Sequence, residues 1–106
     1  MKLMTKALEE RFAKIGRQEK VEDPVVIVKF FNPTGRGTWF ASEYNPKEKL
    51  FFGYVSLFGD FCDEWGYFSL EELESHKGLL GLGIERDLSF EETKSSEIIK
   101  QYTKSN

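Results

Sequence analysis

The sequence predicts an α+β fold: an antiparallel β meander of four strands or slightly more, with an N-terminal helix, a short middle helix and a C-terminal helix. Three observations predict it. β-branched and aromatic runs recur between residues 25 and 68, separated by turns too short for parallel crossovers. Apolar residues near both ends follow helical spacing. Ser69-Leu70-Glu71-Glu72 carries a helix-start signature directly after the last aromatic run. At 106 residues the chain reads as one domain, 1–106, large enough to bury a core without disulfides or metals.

The elements follow in order. Thr5 is placed to cap a helix whose Leu8, Phe12 and Ile15 share one face, with Glu9 and Glu10 near its positive end and Arg17 and Lys20 towards its negative end. Gly16 weakens that helix, and Asp23-Pro24 ends any continuation. Val25 to Phe31 reads as the first strand. Asn32-Pro33-Thr34-Gly35-Arg36-Gly37 is a turn, and Thr38 to Tyr44 is the second strand. Asn45-Pro46 with Lys47 and Glu48 turns into a third strand, Lys49 to Leu57. Gly59 to Asp63 is a polar loop before a fourth strand near Glu64 to Phe68. In the capping box, the Ser69 hydroxyl accepts from the Glu72 amide and the Glu72 carboxylate reaches back, with Leu70 and Leu73 facing inwards. Gly78 to Gly83 is an apolar loop, Leu88-Ser89-Phe90 adds a short strand, and Ser95 caps a final helix burying Ile98, Ile99 and Tyr102.

Aromatic residues concentrate in the meander: thirteen of sixteen lie between Phe30 and Phe68. Strict alternation puts Trp39, Ala41 and Glu43 on one face and Phe40, Ser42 and Tyr44 on the other. It likewise opposes Phe51, Gly53, Val55 and Leu57 to Leu50, Phe52, Tyr54 and Ser56. Both faces therefore carry large apolar groups, and three short helices leave some of that surface for an interaction.

Charge is nearly balanced overall, at −3, but uneven along the chain. Residues 1–20 have six basic against three acidic groups, whereas Asp60, Asp63, Glu64, Glu71, Glu72 and Glu74 in 60–75 face no basic residue. The net negative charge makes nucleic acid an unlikely ligand, because phosphate neutralisation supplies most non-specific affinity. No apolar run reaches the roughly 20 residues of a membrane helix, and no signal-like leader is visible, so a cytoplasmic protein without membrane contact is expected.

Catalytic constellations are missing from the sequence. One histidine, His76, and one cysteine, Cys62, provide neither a metal cluster nor a nucleophile–base set, so no catalytic residue, metal or cofactor is expected. The acids around Cys62 disfavour its thiolate. Gly78, Gly81 and Gly83 stand in the wrong order for a dinucleotide loop, and 32–37 lacks the Lys-Ser/Thr of a P-loop.

Three stretches carry a resemblance: Gly53 after Leu50-Phe51-Phe52, the string from Gly66 to Glu74, and Gly81 to Leu88. Together with Leu3-Met4-Thr5-Lys6, Val28 to Phe31, Thr38-Trp39-Phe40 and Glu43, they resemble the small bacterial domain of unknown function 2958 over nearly the whole chain. Trp65, where relatives tend to have Leu, and Gly83, where they often have Pro, depart from its pattern. The resemblance implies an accessory protein of a bacterial mobile element, a phage or their host, and brings no established activity with it. The favoured expectation is a non-enzymatic protein-binding module using Trp39, Tyr44, Trp65, Glu71, Glu72 and Glu74, acting in phage or plasmid interplay with host defence. Uncovered strand edges add a homodimer as a further expectation. The alternative is a site for a small anionic, nucleotide-like ligand, with aromatic stacking, Arg36 or Arg86 on phosphate and Glu43 as a wall.

Overall fold

The aromatic runs do become strands, and they need cover on both faces because both are apolar. The computed structural model describes residues 2–57 and 63–104; the 59–62 part of the polar loop, Cys62 included, lies outside the described residues, as do the side chains of Leu79, Tyr102, Thr103 and Lys104. Five strands form an antiparallel sheet: β2 (Val28–Phe31), β3 (Thr38–Asn45), β4 (Leu50–Ser56), β5 (Glu64–Ser69) and the two-residue β6 (Glu85–Arg86). Their order is β5-β4-β3-β2-β6. A separate two-stranded ribbon pairs β1 (Val25–Val26) with β7 (Thr93–Lys94).

Helix α1 (Lys6–Ile15) starts where Thr5 accepts from the Leu8 amide at 3.2 Å. It ends at Gly16, whose φ of +73° suits glycine and whose amide donates to the Phe12 carbonyl. Gly16 therefore terminates the helix rather than weakening it, and Arg17 and Lys20 lie beyond its end. Helix α2 (Leu70–Ser75) begins with Ser69 accepting from the Glu72 amide at 3.3 Å. Of the expected reciprocal box only this bond is present among the described residues; Glu72 is exposed.

Phe12 from α1 and Leu70 and Leu73 from α2 cover the first face, packing with Leu3, Met4, Val28, Phe30, Ala41, Tyr44, Phe51, Phe68 and Ile84. Phe51 is its centre, in ring contact with Phe12, Phe30, Tyr44 and Phe68 at 4.7–5.9 Å. Each such fully buried ring stabilises the fold by about 1.5–3 kcal/mol. The second face is covered by the ribbon and by α3 (Ser95–Lys104), where Val26, Phe40, Tyr54 and Ile98 are buried, with Trp65, Phe90 and Ile99 at the rim.

Four expectations need correction. The run 25–31 is two strands: Val25 and Val26 leave the main sheet to pair with Lys94 and Thr93, far along the chain. Leu88-Ser89-Phe90 is a turn, and the short strands are β6 and β7 on either side of it. Ser95 does not cap α3 by accepting an amide. Its hydroxyl donates to Asp23 at 3.1 Å, and the Asp23 carboxylate takes the Ser96 amide at 2.9 Å and hydroxyl at 2.8 Å.

The fourth correction concerns the faces of β3. The register steps from Ala41–Gly53 to Glu43–Phe52, so Ser42 is a bulge. One extra residue reverses everything after it: Tyr44 joins Ala41 on the first face, and Glu43 joins Phe52 on the second. At the bulge β3 closes on β4 so tightly that a Cβ on Gly53 would lie 1.9 Å from the Phe40 carbonyl oxygen. Gly66, its partner across β5, has open space around its Cβ position. Gly53→Ala is therefore expected to abolish the native near-ultraviolet circular dichroism, whereas Gly66→Ala keeps it; a folded Gly53→Ala protein with wild-type Tm would refute the bulge geometry.

Candidate functional site

The residues singled out in the sequence do not converge. Trp39 is half-buried on the first face, and Tyr44 is buried there against Phe12 and Phe51. Burial, followed by the charges of Glu9 and Glu74, raises the Tyr44 phenol above its ordinary range. Glu71, Glu72 and Glu74 are exposed on α2, whose packing belongs to the first face, and Glu71 lies 3.8 Å from Lys49. Trp65 sits on the opposite face, so the expected aromatic sheet and acidic helix are not one surface.

The three residues of the anionic-ligand reading are also apart. Arg36 is exposed in the β2–β3 turn. Arg86 is turned to the N-terminal segment, its guanidinium donating to the carbonyls of Lys2 at 2.7 Å and Leu3 at 3.1 Å. Glu43 is buried, and its Oε1 accepts the amides of Gln18 at 2.7 Å and Glu19 at 3.2 Å. Glu43 and Arg86 line different cavities.

What the fold does assemble is a groove of about 580 Å³ on the second face. Its aromatic side is Phe52 and Trp65, stacked at 5.8 Å with 21° between ring planes, and Ile99 of α3 adds an aliphatic edge. The chain from Gln18 to Pro24 forms the opposing wall and contributes Glu19, Glu22 and Asp23. Among the described residues, no Lys or Arg lines it. Arg17, 3.8 Å from Glu43 and 4.0 Å from Glu19, lines a second cavity near α1 instead.

That wall is held by a buried polar knot. Gln18, buried between the wall and the bulge, donates through Nε2 to the carbonyls of Val25 and Ser42, and its Oε1 accepts the Val25 amide at 2.8 Å. Ser42 Oγ donates to the Phe52 carbonyl at 3.0 Å. Each of these groups would cost about 1–3 kcal/mol if left buried and unpaired. The wall's far end is fastened by Asp23 at the start of α3. Sequence reasoning placed Phe52 on the second face but missed the groove acids, because their only local mark is Glu22-Asp23 before Pro24.

Among the described residues, no group of three His, Cys, Asp or Glu could hold a metal ion, and no helix is long and apolar enough to cross a membrane. A family model described as "Protein of unknown function (DUF2958)" matches residues 3–105. The chain belongs to the DUF2958 family. The motif resemblance from Gly66 to Glu74 and from Gly81 to Leu88 thus marks true membership, and in this DUF2958 chain those stretches build β5, α2 and the segment entering β6. Searches of curated proteins and of solved structures returned no match.

The Ser96 amide, then the Ser96 hydroxyl, hold the Asp23 carboxyl below its ordinary value of 3.8. A depressed carboxyl makes the unfolded state bind more protons as pH falls, so its stabilising effect is full above 3.8 and disappears as pH drops through the folded value. Asp23→Asn is expected to lower Tm near neutral pH, with the deficit shrinking as pH falls below 3.8. A deficit that stayed constant across that range would contradict a charged cap.

Proposed function

We propose that this protein is a non-enzymatic binding module whose second-face groove receives an extended, basic and partly apolar segment of another protein. One observation supports this reading: stacked aromatic rings face three carboxylates across a groove that, among the described residues, no basic side chain lines. Apolar side chains of the segment lie on Phe52 and Ile99. A guanidinium or ammonium over the Trp65 ring gains cation–π attraction, about 0.5–2 kcal/mol depending on desolvation. Glu19 and Glu22 supply the counter-charge. The stretch most engaged in binding thus moves from Glu71, Glu72 and Glu74 to the wall between α1 and β1, while Trp65 keeps the role the sequence suggested. A place beside mobile DNA or host defence rests on the family resemblance alone.

An alternating Arg-Leu heptapeptide serves as probe, with its Glu-Leu counterpart as control, followed by tryptophan fluorescence. The Arg-Leu peptide is expected to bind, to weaken as salt rises, and to lose roughly 10-fold affinity in Trp65→Ala or in Glu19→Gln/Glu22→Gln. Equal binding of the acidic peptide, or affinity unchanged in both variants at native Tm, would defeat the proposal.

A further inference from the structure

Among the described residues, strand β5 ends the sheet on one side, paired only with β4. Its open edge has none of the devices that usually blunt one: six residues, no proline, no lysine and no bulge. The opposite edge, β6, is only two residues long.

The direction of the unpaired backbone groups follows from the register. Leu70 N donates to Lys49 O at 3.0 Å, in line with the pairing Leu50–Ser69. Hydrogen-bonded pairs alternate along an antiparallel ladder, so Phe68–Phe51, Gly66–Gly53 and Glu64–Val55 exchange bonds inwards. The N–H and C=O of Trp65 and Tyr67 consequently point to the open side.

We propose that the occupant of this edge is a second copy of the chain, with the two β5 strands antiparallel about a two-fold axis through Gly66. That register puts Trp65 opposite Tyr67 of the second copy and Tyr67 opposite its Trp65. All four are outward-facing residues, so two hydrogen-bonded pairs close four backbone bonds. Gly66 meets its own symmetry mate as a non-hydrogen-bonded pair, where Cα atoms come within about 4.5 Å. Among the described residues of one chain nothing asks for glycine there: its φ is not in the left-handed region and its Cβ position is open. Glycine in a strand interior is otherwise destabilising, and it often marks the approach of another backbone. Side chains agree with the pairing. Tyr67 is 55% exposed and comes to lie beside Trp65 of the other copy, on the same face as Phe52. Glu64, the only charge on the strand, falls opposite Phe68, so no like charges meet.

The axis is normal to the sheet, which leaves both grooves on one face of a continuous ten-stranded sheet. A partner carrying two basic segments would then engage both at once, although the dimer does not depend on the groove's function.

Light scattering after size exclusion, across a concentration series, tests the assembly, and hydrogen exchange locates it. The expected result is a dimer of the 12.3 kDa chain whose Trp65 and Tyr67 amides become protected as concentration rises. Tyr67→Pro removes an outward N–H while leaving the β4 pairing intact, and should raise the dimer dissociation constant on the order of 10–100-fold. Tyr67→Ala, which keeps the N–H, should have a smaller effect. A monomer at every concentration, a dimer indifferent to Tyr67→Pro, or amides of Trp65 and Tyr67 that exchange freely in the dimer would each overturn the proposal. The exchange measurement on the wild-type chain decides the matter if Tyr67→Pro fails to fold.

Discussion

The inserted residue at Ser42 determines how both faces of the sheet are used. Without the bulge, Tyr44 would leave the first-face cluster and Glu43 would enter it, placing a carboxylate among Phe12, Phe51 and Phe68. With it, Tyr44 completes the ring contacts around Phe51, and Glu43 comes to the face where amides are available. Burying a carboxylate is costly unless it is hydrogen-bonded, and the donors it takes are the amides of Gln18 and Glu19. The bulge and the chain leaving α1 are therefore one structural unit.

That unit explains the groove. A sheet apolar on both sides must be covered twice, and the two covers are unequal. The first face receives α1, α2 and the N-terminal residues Leu3 and Met4. The second receives a four-residue ribbon and α3, which bury Phe40 and Tyr54 but leave Phe52 and Trp65 at the margin. The segment drawn in by Glu43 then runs along this margin towards β1, and Asp23 fastens it to α3. Its acids face the uncovered rings because both ends of the segment are tied, to β3 through Gln18 and to α3 through Asp23.

Much of this architecture could be read from local pattern. Thr5 and Ser69 act as caps through their nearest amides, and the turns at Asn32 and Asn45 are short side-chain-to-backbone loops of the usual kind. Strand alternation in β4 was correct because its register with β5 is unbroken. What escaped the sequence depends on distant partners. Val25 and Val26 look like the start of one long strand until residues 93–94 claim them. Ser95 has the composition of a cap, yet a carboxylate 72 positions earlier in sequence performs that role. The bulge has no local signature except Gly53, whose need for a missing side chain is apparent only once Phe40 lies against it.

The acids of α2 and those of the groove owe their places to different causes. Glu71 and Glu72 follow from the demands of a short helix: acids in its first turn favour the positive end of the dipole, while Leu70 and Leu73 carry its packing and Glu74 lies on its exposed side. Their exposure on α2 is accounted for by helix formation and solvation, with Lys49 as a loose surface neighbour whose pairing contributes little. Glu19 and Glu22 serve no helix end, since they lie outside any helix or strand, on a wall held in place by its neighbours, with Arg17 4.0 Å from Glu19. Charges fixed by tertiary ties beside uncovered aromatic rings are a stronger sign of recognition than a longer run of charges that secondary structure already explains.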